Sequence, residues 1–163
     1  MGKSRSATSI RSLYEADLRK AYGDLTAPRR DFAREMVKRD PYAALLLDLS
    51  STGDTEDDTD INHEVAFTYF VRGSRLLIVK LSMVGPYAVV PAFGEDGHGR
   101  GELISRPAGP FESRVLDVVA AHGFRLVPAE HLETPVPVAV VPGRAEVSLY
   151  AALFEPEAEP PWL

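Results

Sequence analysis

The sequence contains no cysteine, which excludes a disulfide framework, a zinc ribbon and a thiol nucleophile. It contains no apolar run approaching the roughly 20 residues that a membrane helix needs, so no membrane is expected among its partners. Basic side chains are outnumbered, 18 against 24 acidic, for a net charge of −6. A dedicated nucleic-acid binder needs a basic surface to contact phosphates, so nucleic acid is not an expected partner either. The first residues, Met1-Gly2-Lys3-Ser4-Arg5-Ser6, carry positive charge with no apolar segment behind it. That is not the pattern of a secretory signal, and the expected address is cytoplasmic.

What is present is the composition of an ordinary globular chain: 45% hydrophobic and 26% charged over 163 residues. This length suits one domain with one sizeable core. The charge is unevenly spread. Residues 1–40 carry ten basic and six acidic side chains, whereas residues 41–163 carry eight basic and eighteen acidic. The first segment is therefore at +4 and the remainder at −10, an asymmetry that shapes the field met by a charged partner.

Apolar residues at three- and four-residue spacing (Ile10, Leu13, Tyr14, Leu18, Ala21, Tyr22) predict an amphipathic helix over 9–22, with Ser9 as N-cap and Gly23 as its stop. A second helix is expected from about Pro28 to Arg39, with Phe32, Met36 and Val37 inward. The apolar run Tyr42–Leu49 fits a short buried helix or a strand. Residues 50–62 hold five acids and no apolar residue before Ile61, and read as a loop. Residues 65–93 predict an antiparallel meander of three strands, turning at Gly73-Ser74 and Gly85-Pro86. Pro91 suggests that the third strand lies at an edge, where a missing N–H costs least. A covering helix is expected near 111–122, ended by Gly123, on the same face of the sheet as the N-terminal helices. Short strands follow at 124–127 and 136–141. Residues 145–154 favour a helical turn over a strand. The fold class is α+β, in a single domain over 1–154 with an acidic, proline-rich tail at 155–163.

Catalytic signatures are missing. The glycine-rich stretch Gly94–Gly101 lacks the Lys-Ser/Thr ending of a phosphate loop and opens no helix, so it reads as a connector. No two of His63, His98, His122 and His131 have the i, i+4 spacing of helix-borne metal ligands, and no metal or other cofactor is expected. No serine sits in Gly-x-Ser-x-Gly, and the paired carboxylates lie in segments that do not preorganise them. The chain reads as a binding protein, not an enzyme.

Two acidic regions are the expected partner contacts. Asp54, Glu56, Asp57, Asp58 and Asp60 form the first; Glu155, Glu157 and Glu159, with Trp162, form the second. Opposed charge would speed encounter with a basic partner. Trp162 either docks on its own domain or anchors an interface.

The run Gly123-Phe124-Arg125-Leu126-Val127-Pro128-Ala129-Glu130-His131-Leu132, then Pro135-Val136-Pro137, Val147 to Phe154 and Pro161-Trp162, resembles small bacterial proteins of uncharacterised or immunity type that accompany polymorphic toxins. The likeness covers about the last 45 residues, with Lys80 to Tyr87 as a further segment. It implies a cytoplasmic protein that binds and blocks a basic toxin domain. A self-associating structural or regulatory module, meeting its copy through Tyr87–Phe93 and Leu45–Leu49, is the alternative function.

Overall fold

The computed structural model describes residues 6–94 and 101–162. The chain opens with three helices: α1 (Ala7–Tyr22), α2 (Asp31–Arg39) and α3 (Ala43–Ser50). A short strand, β1 (Asp54–Asp57), leads into the meander β2 (Ala66–Arg72), β3 (Leu76–Ser82), β4 (Tyr87–Val89) and β5 (Pro91–Phe93), followed by β6 (Glu102–Leu103). The remaining elements are α4 (Pro110–Ala121), β7 (Arg125–Leu126), α5 (Ala129–Leu132), β8 (Pro135–Val136), β9 (Val147–Ser148) and α6 (Leu149–Leu153). The main sheet runs β1-β2-β3-β4-β7, antiparallel except for the β4–β7 pair, with β5 between β3 and β6. The α+β class and the meander are as the sequence predicts. No helix among the described residues is long and apolar enough to cross a membrane.

Side chains alternate across a strand, and here both faces are buried. Val65, Phe67, Tyr69 and Val71 join Leu77, Val79 and Leu81 in a core closed by α3, α4 and Ala33 of α2. The opposite face, through Ala66, Tyr87 and Val89, packs on α1, α6 and the segment 132–154. The N-terminal helices thus divide between the two faces. Only α2 and α3 share the side of α4, because α1 presents a strict i, i+4 row of Ile10, Tyr14, Leu18 and Tyr22 to the other.

Local signals explain most boundaries. Gly23 (φ +77°) and Gly123 (φ +87°) take the positive φ that glycine allows where α1 and α4 end. The N-cap of α1 is Ser6, not Ser9: the Ser6 hydroxyl accepts from the Ser9 N–H at 3.3 Å. Asp40 (φ 45°) closes α2, and Tyr42 enters α3, so Tyr42–Leu49 is resolved as helical apart from its first residue. Leu13 (49% exposed) and Val37 (37% exposed) do not face inward as expected. His122 caps α4 and ties it to α3 through Asp48, Nε2 to Oδ2 2.7 Å.

Two expectations about the sheet are corrected. The acidic segment is not simply a loop, since four of its residues form β1 against β2. Nor is Pro91 at an edge. β4 and β5 keep one register on β3 (Lys80 opposite Val89, Leu77 opposite Ala92) and are flanked on their other side by β7 and β6. The ladder lapses around Pro91, which has no N–H to donate, and resumes beyond it. The glycine-rich stretch lies at 95–100, outside the described residues, between Gly94 and Gly101.

Where β1 begins, a side chain is forbidden. A Cβ on Gly53 would stand 2.5 Å from the carbonyl oxygen of Arg72, a main-chain atom in the neighbouring strand. Gly53→Ala is expected to lower the urea midpoint by a stability loss of about 1–3 kcal/mol, the usual cost of forced overpacking. Loss of exchange protection in β1 would accompany it, and an unchanged midpoint would show that the strand shifts freely.

Candidate functional site

The expected acids fall into three groups. In β1, Asp54 lies opposite Arg72 and Glu56 opposite Phe70, so both carboxylates stand on the same sheet face as those residues. Asp58 continues the ladder, its N–H donating to the Thr68 carbonyl at 2.9 Å, and its side chain lines a cavity on that face. Asp57 pairs with Tyr69 on the opposite face. There, burial first and then the Asp57 charge push the Tyr69 phenol above its ordinary range. Asp60 is committed to a turn: it accepts from the Asn62 N–H at 3.0 Å and lies 3.8 Å from the exposed His63.

The tail is divided too. Glu155 is drawn under the sheet, where its Oε1 lies 2.7 Å from the Lys80 ammonium and accepts from the Tyr150 hydroxyl, also at 2.7 Å. One of its two carboxylate oxygens is therefore committed within the fold. Glu157 and Glu159 are exposed beside a cleft of about 90 Å³ that Arg144 also lines. Trp162 docks on its own domain, edge-on to the Tyr150 ring at 5.4 Å, with its indole N–H donating to Glu133 at 3.2 Å. The tail is thus packed rather than free.

Lys80, which sequence reasoning overlooked, organises this region. It is 5% exposed, midway along β3, directly opposite Thr68. Its ammonium donates to Glu64 Oε1 at 2.5 Å and to Thr68 Oγ1 at 3.1 Å, and forms an ion pair with Glu155 Oε1 at 2.7 Å. Glu64 Oε2 in turn accepts from the Thr68 hydroxyl at 2.9 Å and the Asp60 N–H at 3.2 Å. Burial, reinforced by the neighbouring Glu155 carboxylate, pushes the Tyr150 phenol far upward. The sequence signal was a lone lysine inside an otherwise apolar strand, a position lysine takes only when paired.

Asp58 from the first acidic region and Glu155 from the second both line one cavity of about 170 Å³. The Lys80 cluster lines it too, together with the half-buried Phe70, Ile78 and Phe93 and with Pro91 and Pro161. The Phe70 ring carries the Arg72 guanidinium at 5.8 Å, and Arg72 is held 3.6 Å from Glu56. Gly101 backs the Phe93 ring so closely that a Cβ there would approach it to 2.8 Å. Along this face, among the described residues, five carboxylates (Asp54, Glu56, Asp58, Glu64, Glu155) are set against two cations, Arg72 and Lys80.

A second cleft, of about 340 Å³, lies between α1 and β7. Tyr14 hydrogen-bonds His131 Nδ1 at 2.6 Å, Tyr87 donates to Asp17, and the Arg125 guanidinium lies 5.5 Å from the Tyr87 ring centre. No group of three or more metal-ligating side chains is found among the described residues. Ser82 donates to the Leu153 carbonyl at 2.7 Å and accepts from the Val84 N–H, which makes it a bracket between β3 and α6.

No protein-family model, no curated protein and no solved structure matches this chain.

Proposed function

We propose that the chain is a non-enzymatic cytoplasmic binding protein that holds a basic segment of a protein partner along its acidic sheet edge. Blocking a basic toxin domain, as an immunity protein does, is the form of this activity that the sequence resemblance favours. The observation that carries the reading is the position of β1. It is the terminal strand of the main sheet, and Asp54, Glu56 and Asp57 lie along it, with Asp58 immediately after. An edge strand offers main-chain groups to an added strand, and the carboxylates favour one rich in Lys and Arg.

The same geometry counts against the self-associating module. Tyr87–Val89 and Pro91–Phe93 are interior strands, and of the Leu45–Leu49 segment Leu45 and Leu49 are fully buried, which leaves Leu47 as its one exposed leucine. Pairing β1 with the β1 of a second copy would set carboxylate against carboxylate, which destabilises a cross-strand pair.

The test begins with a photo-crosslinking side chain at position 56, used in extract of the native cell to trap and identify the partner. Association is then followed against ionic strength. Amides at all five positions 54, 56, 57, 58 and 60 should slow association about tenfold or more at low salt. The deficit should shrink towards about 1 M salt, where the screening length is only some 3 Å. An unchanged association rate at every ionic strength would overturn the reading.

A further inference from the structure

The cavity beside β1 has a composition that the sheet-edge reading does not itself require. Its lining is apolar at Phe70, Ile78 and Phe93 and acidic at Asp58, Glu64 and Glu155. Glu155 uses Oε1 for Lys80 and Tyr150, and no hydrogen bond or ion pair engages its Oε2 among the described residues. Asp58 likewise has no cation within 4 Å among the described residues, although Glu56 beside it has Arg72. The size narrows the class of occupant. At about 170 Å³ the space falls short of the roughly 300–1,000 Å³ of cofactor and drug-sized sites. It suits one long side chain.

We propose that this cavity receives a single aliphatic-stemmed cation, the side chain of an arginine or lysine from the bound partner. The stem lies on Ile78 and the phenylalanine rings, and the charged head meets Asp58 and the second carboxylate oxygen of Glu155. Aromatic faces attract such cations, and the protein already seats one of its own, Arg72, on Phe70. Lys80 does not repel the newcomer outright, because its charge is already matched by two carboxylates on its own nitrogen. The inference rests on the sheet-edge reading for the origin of the side chain, and adds the pocket that gives one position of the basic segment its identity.

The test uses the whole protein with methyl labels at Ile78 and Thr68. Capped pentapeptides Gly-Gly-X-Gly-Gly are titrated by NMR, with X as arginine, lysine or citrulline, the neutral isostere of arginine. The arginine and lysine peptides should shift both methyls and saturate in the millimolar range, about the affinity that one side chain supplies. Citrulline should bind at least tenfold more weakly. Asp58→Lys, an exposed position whose ladder bond is made by its main chain, should remove the response while leaving the rest of the spectrum unchanged. Equal shifts from citrulline and arginine would overturn the proposal, as would shifts centred elsewhere. If the peptides leave Ile78 and Thr68 unmoved while the probe at position 56 still traps a partner, the pocket fails and the sheet edge stands. Silence in both experiments removes both.

Discussion

Lys80→Met is expected to cost about 3–5 kcal/mol, the usual consequence of removing one partner from a buried ion pair. The methionine keeps most of the aliphatic stem, so lost packing does not account for the effect. What remains is Glu64 and Glu155, side chains 12% and 26% exposed, with the cation that both face taken away. Each carboxylate keeps hydroxyl donors, Thr68 for Glu64 and Tyr150 for Glu155, but these do not replace a positive charge. Urea unfolding should show the midpoint falling without a change in slope.

The companion experiment separates charge from shape. Lys80→Met combined with Glu64→Gln and Glu155→Gln should recover much of the loss, because a neutral cluster of similar volume is often as stable as the ion pair. A triple variant no more stable than the single one would show that lysine packing, not uncompensated charge, was responsible. Trp162, the sole tryptophan, lies on Tyr150 and so reports on the Glu155 tether. In Lys80→Met its fluorescence should move towards that of exposed indole before global unfolding, as residues 155–162 lift from the sheet.

Those residues also show where sequence reading reaches and where it stops. α1, α4 and the meander were legible because each is written locally, in an apolar period and a glycine or turn that closes it. The strand β1 was not legible. Asp-Thr-Glu-Asp has low strand propensity and one polar character throughout, and it becomes a strand only because β2 offers it an edge. Pro91 misled for a related reason. A proline is tolerated inside a sheet when the strand keeps its register on either side of the missing N–H, as β4 and β5 do. At the candidate site, the acids were visible as charge, but their grouping was not. Nothing in the local sequence ties Glu155 to Lys80, or sets Asp58 beside both while turning Asp57 to the opposite face. Lys80 itself was overlooked because its strand reads as apolar, although a cation at that place required a buried partner.

Alkaline unfolding is the second large effect expected, and it originates in tyrosines on the α1–α6 side of the sheet. Tyr22 is fully buried and its hydroxyl donates to the Ala152 carbonyl at 2.6 Å. Burial pushes its pKa well above 10, and Arg30 opposes this only in part. Tyr150, also fully buried, is pushed up by burial, by the Glu155 carboxylate it binds, and by Glu64. Both phenols are therefore protonated in the native state at pH values where the unfolded chain has begun to lose its tyrosine protons. Below the unfolded value, near pH 10, both states hold the proton and neither tyrosine makes stability depend on pH. Above it the unfolded state is favoured, by about 1.4 kcal/mol per pH unit for each tyrosine kept neutral. These two groups alone give a limb approaching about 2.7 kcal/mol per pH unit, to which the raised phenols of Tyr69 and Tyr87 add, steep enough to exhaust an ordinary stability of 5–15 kcal/mol within a few pH units. Urea midpoints should therefore fall from about pH 10 upward, and tyrosinate absorbance of these two groups should rise together with the loss of helical signal. Tyr22→Phe should lose about 1 kcal/mol at neutral pH with its hydrogen bond, yet show a shallower alkaline limb, because one of the titrating groups is gone. Stepwise ionisation near pH 10 with the helices intact would mean that α1 and α6 open enough to hydrate both hydroxyls, and the packing of Tyr22 against Ala152 would have to be loose in solution.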